Sequence, residues 1–410
     1  MSTTVTAQRR RAALFTAFFV TGLCMATWVS RTPAIRDAID ASTAQMGLII
    51  AGLSVGSMVG ISVTGTLVAR RGARFVVLCG MAAVVVGVAV VAVGTATAHG
   101  WLVATGLAFF GYGMGSGEIG QNVEGVDVEQ ALGKTVVPSL HGCYSLGVGV
   151  GGLGGLAATT GGISVVAHLA AVAVVTAAAS SWLVANLASA VGQEAGSSYE
   201  RASVRGSVTA FLSVWTERRT LAIGIIVLGM ALAEGSANDW LPLIMVDGFS
   251  LSAATASLVY AFFGLSMAIG RFSGGYFLDR FGRAPVMVAS AVLAVLGIAT
   301  VSFAPTATLG AVGVFFWGIG ASLGFPVALS AAGDDPVGAA RRVSAVAAAG
   351  YTAFLVGPPI LGVVGEHVGL RSAIVLVLVM VIVSAFFSRA VSKPAAEGKN
   401  HVEDAPAQFH

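Results

Sequence analysis

The chain has 410 residues, 56% of them hydrophobic and 10% charged, with 22 Lys and Arg against 19 Asp and Glu. A soluble domain carries about 25% charged residues, so this composition excludes a water-soluble fold and makes the bilayer the solvent for most of the chain. The net charge of +3 says little by itself; where the charges stand says more.

Glycine supplies 54 residues, well above the usual ~7%, and small residues let helix backbones approach closely in a membrane. Cys24, Cys79 and Cys143 are scattered through apolar runs without metal-ligand spacing, so they read as packing residues and no metal is expected. Arg9, Arg10 and Arg11 followed by an apolar run imitate a signal peptide, but no small-x-small cleavage pattern follows, and the run reads as an uncleaved first span.

Twelve apolar runs are long enough to span a bilayer: 12–30, 45–68, 75–97, 101–122, 138–158, 162–186, 220–245, 253–278, 284–303, 306–330, 344–365 and 370–388. Sorting Lys and Arg into alternate loops puts eighteen on the side of both termini and three, Arg31, Arg36 and Arg371, on the other, with Arg271 inside a span. That asymmetry predicts cytoplasmic termini. Residues 187–219 read as a polar cytoplasmic linker between an N-terminal six-helix bundle, 1–186, and a C-terminal one, 220–389. Within the linker, Val208 to Val214 is a candidate membrane-surface segment, and 390–410 reads as a disordered cytoplasmic tail.

The two halves share a loop. Gly60 to Arg74 reads GISVTGTLVARRGAR and Gly270 to Arg283 reads GRFSGGYFLDRFGR, with Gly65 and Gly275, Arg70 and Arg280, and Gly72 and Gly282 at a constant offset of 210. A glycine-and-charge turn repeated between apolar spans marks an internal duplication of the kind transporters carry.

An ionisable residue inside a span is a functional candidate by default. Glu118 stands in span four with Gln121 and Asn122 at i+3 and i+4 on its face, a set able to bond hydroxyl groups or carry a proton. Glu234 and Asn238 share a face of span seven, with Asp239 and Trp240 nearer the outer end; Trp240 offers a flat apolar surface for a sugar ring. An alternative for Glu234 is to brace a helix broken near Gly235 and Pro242. Trp28 and Arg31 end span one, either at the cavity mouth or in an interfacial belt. His141 opens span five and is a proton-exchange candidate. Trp317 in span ten is a cavity-lining candidate, with Phe315, Phe316, Phe325 and Pro326, and ordinary core packing is the alternative for the aromatics. Arg271 reads as a structural pairing residue near the loop. Gly357-Pro358-Pro359 is expected to break span eleven. No phosphate loop, metal-ligand cluster or nucleophile set is present, so ATP, a cofactor and enzymatic catalysis are not expected.

The twelve spans, the duplication and the full match of Gly275 to Arg283 to G-x-x-x-D-R-x-G-R resemble the major facilitator superfamily. TWVSRTPAIRDAI, GEIGQNVEGVDVEQ, HGCYSLG, EGSANDW and GYTAFLVGPPILG resemble its fucose-permease-like branch of sugar:proton symporters. The resemblance implies an all-α polytopic membrane protein of two six-helix bundles rocking about a cavity lined by spans one, four, seven and ten. It implies a conformational lock at Gly275, Asp279, Arg280, Gly282 and Arg283, with Asp279 tying helices in one state and releasing them in the other; the first half has Ala69 where the signature has Asp. It ties an acid in span four, here Glu118, to proton coupling. The span-one acid of such symporters is missing between Ala12 and Ser30, which leaves coupling to Glu118 or Glu234. The expected function is proton-coupled import of a small polar solute, with a proton-coupled exporter as the rival. The expected partners are solute, proton and lipid, with no nucleic acid, and the expected state is a monomer in the cytoplasmic membrane.

Overall fold

A computed structural model describes residues 5–134, 136–193, 213–335 and 338–392. The central part of the expected linker, most of its candidate surface segment and the tail beyond Ser392 lie outside the described residues. Within them, twelve long helical segments carry the chain and no strand occurs. They are α1 (Ala7–Ala38), α2 (Thr43–Arg71), α3 (Ala73–Ala96), α4 (Gly100–Leu132), α5 (Val137–Thr160), α6 (Val165–Ala185), α7 (Arg218–Phe249), α8 (Ala253–Phe281) and α9 (Arg283–Phe303). Then follow α10 in two pieces (Ala307–Ala321 and Gly324–Ala332), α11 (Ala339–Val368), and α12, whose main piece is Val375–Phe387. Ten segments among the described residues are long and apolar enough to cross a membrane by length and composition. The all-α polytopic architecture expected from the sequence is therefore the observed one.

Helix ends follow local chemistry. Ser42 caps α2 in a reciprocal capping box with Gln45, and Ser252 accepts from the Thr255 N–H at the start of α8. Gly72 and Gly282 end α2 and α8 at φ +85° and +80°, a region only glycine enters without strain. Helices extend past the apolar runs. α1 continues through Pro33 to Ala38, and α4 continues to Leu132 with Glu124, Asp127 and Glu129 in its last turns. Two expected breaks are absent: α7 runs unbroken through Gly235 and Pro242, and α11 runs unbroken through Pro358 and Pro359. The break lies in α10 instead. Pro326 has no N–H for the carbonyl of Ser322, four residues back, and the helix is interrupted there.

Glycines set the spacing around α4. A Cβ at Gly111 or Gly115 would strike the backbone of α2, and one at Gly106 or Gly113 would strike α3, so three backbones lie in near contact. Two seams join the N-terminal helices to the C-terminal ones: α5 packs along α8, and α2 packs along α11. Along the first, Gly149 faces Leu265 and Gly264, and Gly152 faces Ala261. Along the second, Gly47 meets the backbone of Pro358 and Gly362, and Ser54 Oγ donates to the Phe354 carbonyl at 2.7 Å.

The end away from the termini is closed by bonds across these halves. Arg36 pairs with Asp247 at 2.5 Å, the Ala44 N–H donates to Glu366 at 3.1 Å, and Ser257 Oγ donates to the Ser30 carbonyl at 3.1 Å. The end bearing the termini has its own ion pairs within each half. Arg10 pairs with Glu124 and Asp127, Arg219 and Arg283 both pair with Asp334, and Arg342 pairs with Glu217.

Candidate functional site

A central cavity of about 1240 Å³ reaches the terminal-bearing end, where Asp279, Gly282, Arg283 and Ser330 form part of its mouth. Its walls come from α1, α4, α7 and α10, as expected, and also from α2, α5, α8 and α11.

On the α4 wall, Glu118 projects into the cavity, beside Gln121 and Asn122. Among the described residues Glu118 makes no hydrogen bond or ion pair, and its charged neighbours are Arg271 and Glu234. Gln121 Nε2 and Asn122 Oδ1 are buried and have no partner among the described residues. An unmet buried polar group costs about 1–3 kcal/mol, so this wall keeps free hydrogen-bonding capacity where a solute can reach it. The close packing that the α4 glycines permit holds the helix rotated so that the face with Glu118, Gln121 and Asn122 looks into the cavity.

The opposite wall is paired. Arg271 on α8 donates from Nη2 to Glu234 Oε1 at 2.8 Å and from Nη1 to Ser145 Oγ at 2.7 Å. Its Nε points at the Ser322 carbonyl, 3.4 Å away, the group freed by Pro326. One guanidinium thus joins α5, α7 and α10. The sequence reading placed Arg271 near the loop; the structure places it in the cavity wall. The Ser322 carbonyl released by Pro326 was the legible hint. Asn238 accepts from the Tyr260 hydroxyl at 3.0 Å, and Asp239 lines the cavity at 7% exposure. His141 lines the α5 wall, edge-on to Phe18 with ring centroids 5.0 Å apart.

Six of the sequence candidates lie elsewhere. Trp28, Trp240 and Trp317 are buried and none lines the cavity. Trp317 donates Nε1–H to the Ala233 carbonyl at 3.0 Å and meets Phe263 edge-on. Arg31 is buried away from the cavity, donating to Thr159 Oγ1 and the Ile163 carbonyl, both at 2.6 Å, and it does not pair with Asp239. Phe315 and Phe316 are on the outer surface, leaving Phe325 and Pro326 as the span-ten candidates that do line the cavity. In the signature loop Arg283 is bonded to Asp334 and Ser330, Arg280 lies over the Phe281 ring, and Asp279 has no ion pair among the described residues. No cluster of metal-ligating side chains occurs among the described residues.

Comparison with known proteins gives the same architecture a wider setting. The chain is 28% identical over 379 residues to an uncharacterised MFS-type transporter of Yersinia pestis, covering 92% of this chain and 94% of that protein. Its fold matches that of a variant of the nucleoside transporter NupG, with a TM-score of 0.75 at 15% identity over 93% of this chain and 99% of that one. It also matches the E. coli fucose:proton symporter FucP, with a TM-score of 0.61 at 16% identity over 93% and 98%. Residues 139–336 and 223–410 match the profile of the Major Facilitator Superfamily. A polytopic helical fold, a duplicated signature loop and a central cavity are what that match leads one to expect, and the chain belongs to the Major Facilitator Superfamily.

Proposed function

We propose that this transporter carries a small polar solute of the sugar class through the central cavity by alternating access, together with a proton. The observation that carries the reading is the α4 wall: Glu118 with no bonded partner among the described residues, beside Gln121 Nε2 and Asn122 Oδ1, which none of those residues meets. Amides suit hydroxyl groups, and a cavity carboxylate with no bonded cation is suited to gain and lose a proton. Glu234, bonded to Arg271, is the less available proton carrier, and His141 serves as a second candidate on the adjoining wall. The named cargo of two proteins of like fold, fucose with a proton and nucleosides, lies within this class.

In this reading the two six-helix bundles are 1–186 and 220–389, joined by 187–219 and followed by the tail 390–410. The basic end faces the cytoplasm of a cell membrane, following the positive-inside rule. The cavity is then open inward, with the Arg36–Asp247 closure on the outside and Asp279 in the released state of the lock.

External pH in lightly buffered, de-energised right-side-out vesicles tests the reading as single sugars and drug-like solutes are added. Alkalinisation specific to one polar solute is the expected result. Acidification identifies an exporter run backwards and overturns import. The variant Glu118→Gln is expected to abolish proton-driven accumulation while exchange of solute persists; accumulation at the wild-type level in that variant removes Glu118 as the coupling site.

A further inference from the structure

We propose that Asp239 is the subsite for an ammonium group and that the transported solute is a small hydroxylated amine, such as an amino sugar. The proposal rests on reading the cavity as the solute site and narrows its cargo.

The argument is a charge inventory. The inner cavity is lined by three carboxylates, Glu118, Glu234 and Asp239, and by one guanidinium, Arg271. Arg271 is committed to Glu234 at 2.8 Å. Two acids remain, on opposite walls. A coupled proton neutralises one of them, and Glu118 on α4 is placed to take it. Asp239 is then the acid without compensation. It is 7% exposed, lines the cavity, and meets no hydrogen-bond donor or cation among the described residues. A buried charge is tolerated when it is paired, and inside a bilayer a carrier that must bury its cargo favours a loaded cavity with no net charge. One proton and one cationic substituent bring the loaded cavity to neutrality. A neutral sugar leaves it with one negative charge in excess.

The neighbouring side chain narrows the chemistry. Asn238 Oδ1 accepts from the Tyr260 hydroxyl at 3.0 Å, so its amide nitrogen is left to donate. Asp239 and Asn238 together offer an acceptor for N–H and a donor for a hydroxyl oxygen on adjacent positions of α7. An ammonium group beside a hydroxyl on a small ring matches that pair. Across the cavity, Gln121 and Asn122 supply the free amide groups for the remaining hydroxyls.

The test uses purified full-length protein in detergent, with thermal stabilisation titrated by three probes: D-glucosamine, D-glucose and N-acetyl-D-glucosamine. The expected result is half-saturation by glucosamine at a concentration roughly tenfold or more below that of the two neutral probes, the advantage of a charge-assisted bond. Asp239→Asn should erase the ratio between amine and neutral probes, and Asp239→Glu should keep a preference for the amine. The unliganded melting of each variant reports whether it is folded. A wild-type protein stabilised equally by glucose and glucosamine overturns this proposal and leaves the polar-solute reading standing. An amine preference that persists in Asp239→Asn overturns the assignment to Asp239. No stabilisation by any of the three overturns both this proposal and the sugar-class reading.

Discussion

Gly72 and Gly282 stand 210 positions apart and end α2 and α8 with nearly the same backbone, φ +85° and ψ 162° against φ +80° and ψ 171°. The next residue differs: Ala73 in the first half, Arg283 in the second. In the second half Arg283 and Arg219 both donate to Asp334, at 2.6 and 2.8 Å. In the first half Glu124 stands 210 positions before Asp334. It receives Arg10 at 2.7 Å and the Ala188 N–H at 3.1 Å, while the Ala73 N–H goes to the Val191 carbonyl at 2.8 Å. One junction is sealed by two arginines, the other by one arginine and the backbone that follows α6. The repeat keeps what geometry demands, a glycine at positive φ, and lets the partners of each buried carboxylate change so long as the charge is met.

The largest break in this comparison is expected in the cavity, where the first half contributes the unpaired Glu118 and the second contributes, beside Asp239, an acid that is paired, Glu234. Arg271→Gln strands the Glu234 carboxylate and should cost about 3–5 kcal/mol of stability, read as a fall in melting temperature. Adding Glu234→Gln should recover most of it, whereas Glu118→Gln alone should not destabilise. A loss in Arg271→Gln no larger than that of a surface substitution means the pair is not what holds this wall.

Next comes Asp334→Asn, expected to cost about 2 kcal/mol at neutral pH, the range for hydrogen bonds to charged groups. Burial pushes the Asp334 carboxyl up, but the hydrogen bonds from Arg283 and Arg219 and their charges outweigh it and hold the group below its ordinary value. With the folded value depressed, its stabilisation is complete above the unfolded value of about 3.9 and fades as pH falls through the folded one. Melting of the wild type should therefore decline below about pH 4 more steeply than that of Asp334→Asn; parallel profiles count against the bridge.

The smallest effect belongs to the signature acid. Asp279→Asn and Ala69→Asp are each expected within about 0.5 kcal/mol of the wild type, because Asp279 makes no ion pair among the described residues, its neighbour Arg283 being bonded to Asp334. A larger loss in Asp279→Asn shows that it is bonded in the state populated in solution.

The number of spans, the repeat and the polar positions on α4 and α7 were legible because each charge or amide stands out in an apolar run. Rotation of each helix was not. Asp239 lines the cavity while Trp240, one residue on, is buried in the core. Neighbours on a helix point about 100° apart, and a helix apolar on nearly every side gives no stripe from which to fix its orientation. Trp28 and Arg31 were misplaced for the same reason, and Trp317 could not be decided between cavity and core. Arg271 was read as a pairing residue, but its partner and place were not legible, because Glu234 lies 37 residues away, beyond any local spacing rule. The break in α10 was readable in Pro326, yet Pro242, Pro358 and Pro359 sit in unbroken helices, so proline alone does not decide where a membrane helix gives way.

The small-residue seam between α5 and α8 also has a mechanical meaning. Where Gly149 and Gly152 face Ala261 and Gly264, there are few knobs to lift out of holes before one helix can roll over the other. Interdigitated side chains work like a ratchet with discrete stops. A bare backbone surface works like a plain bearing, holding two bodies in contact while leaving them free to tilt.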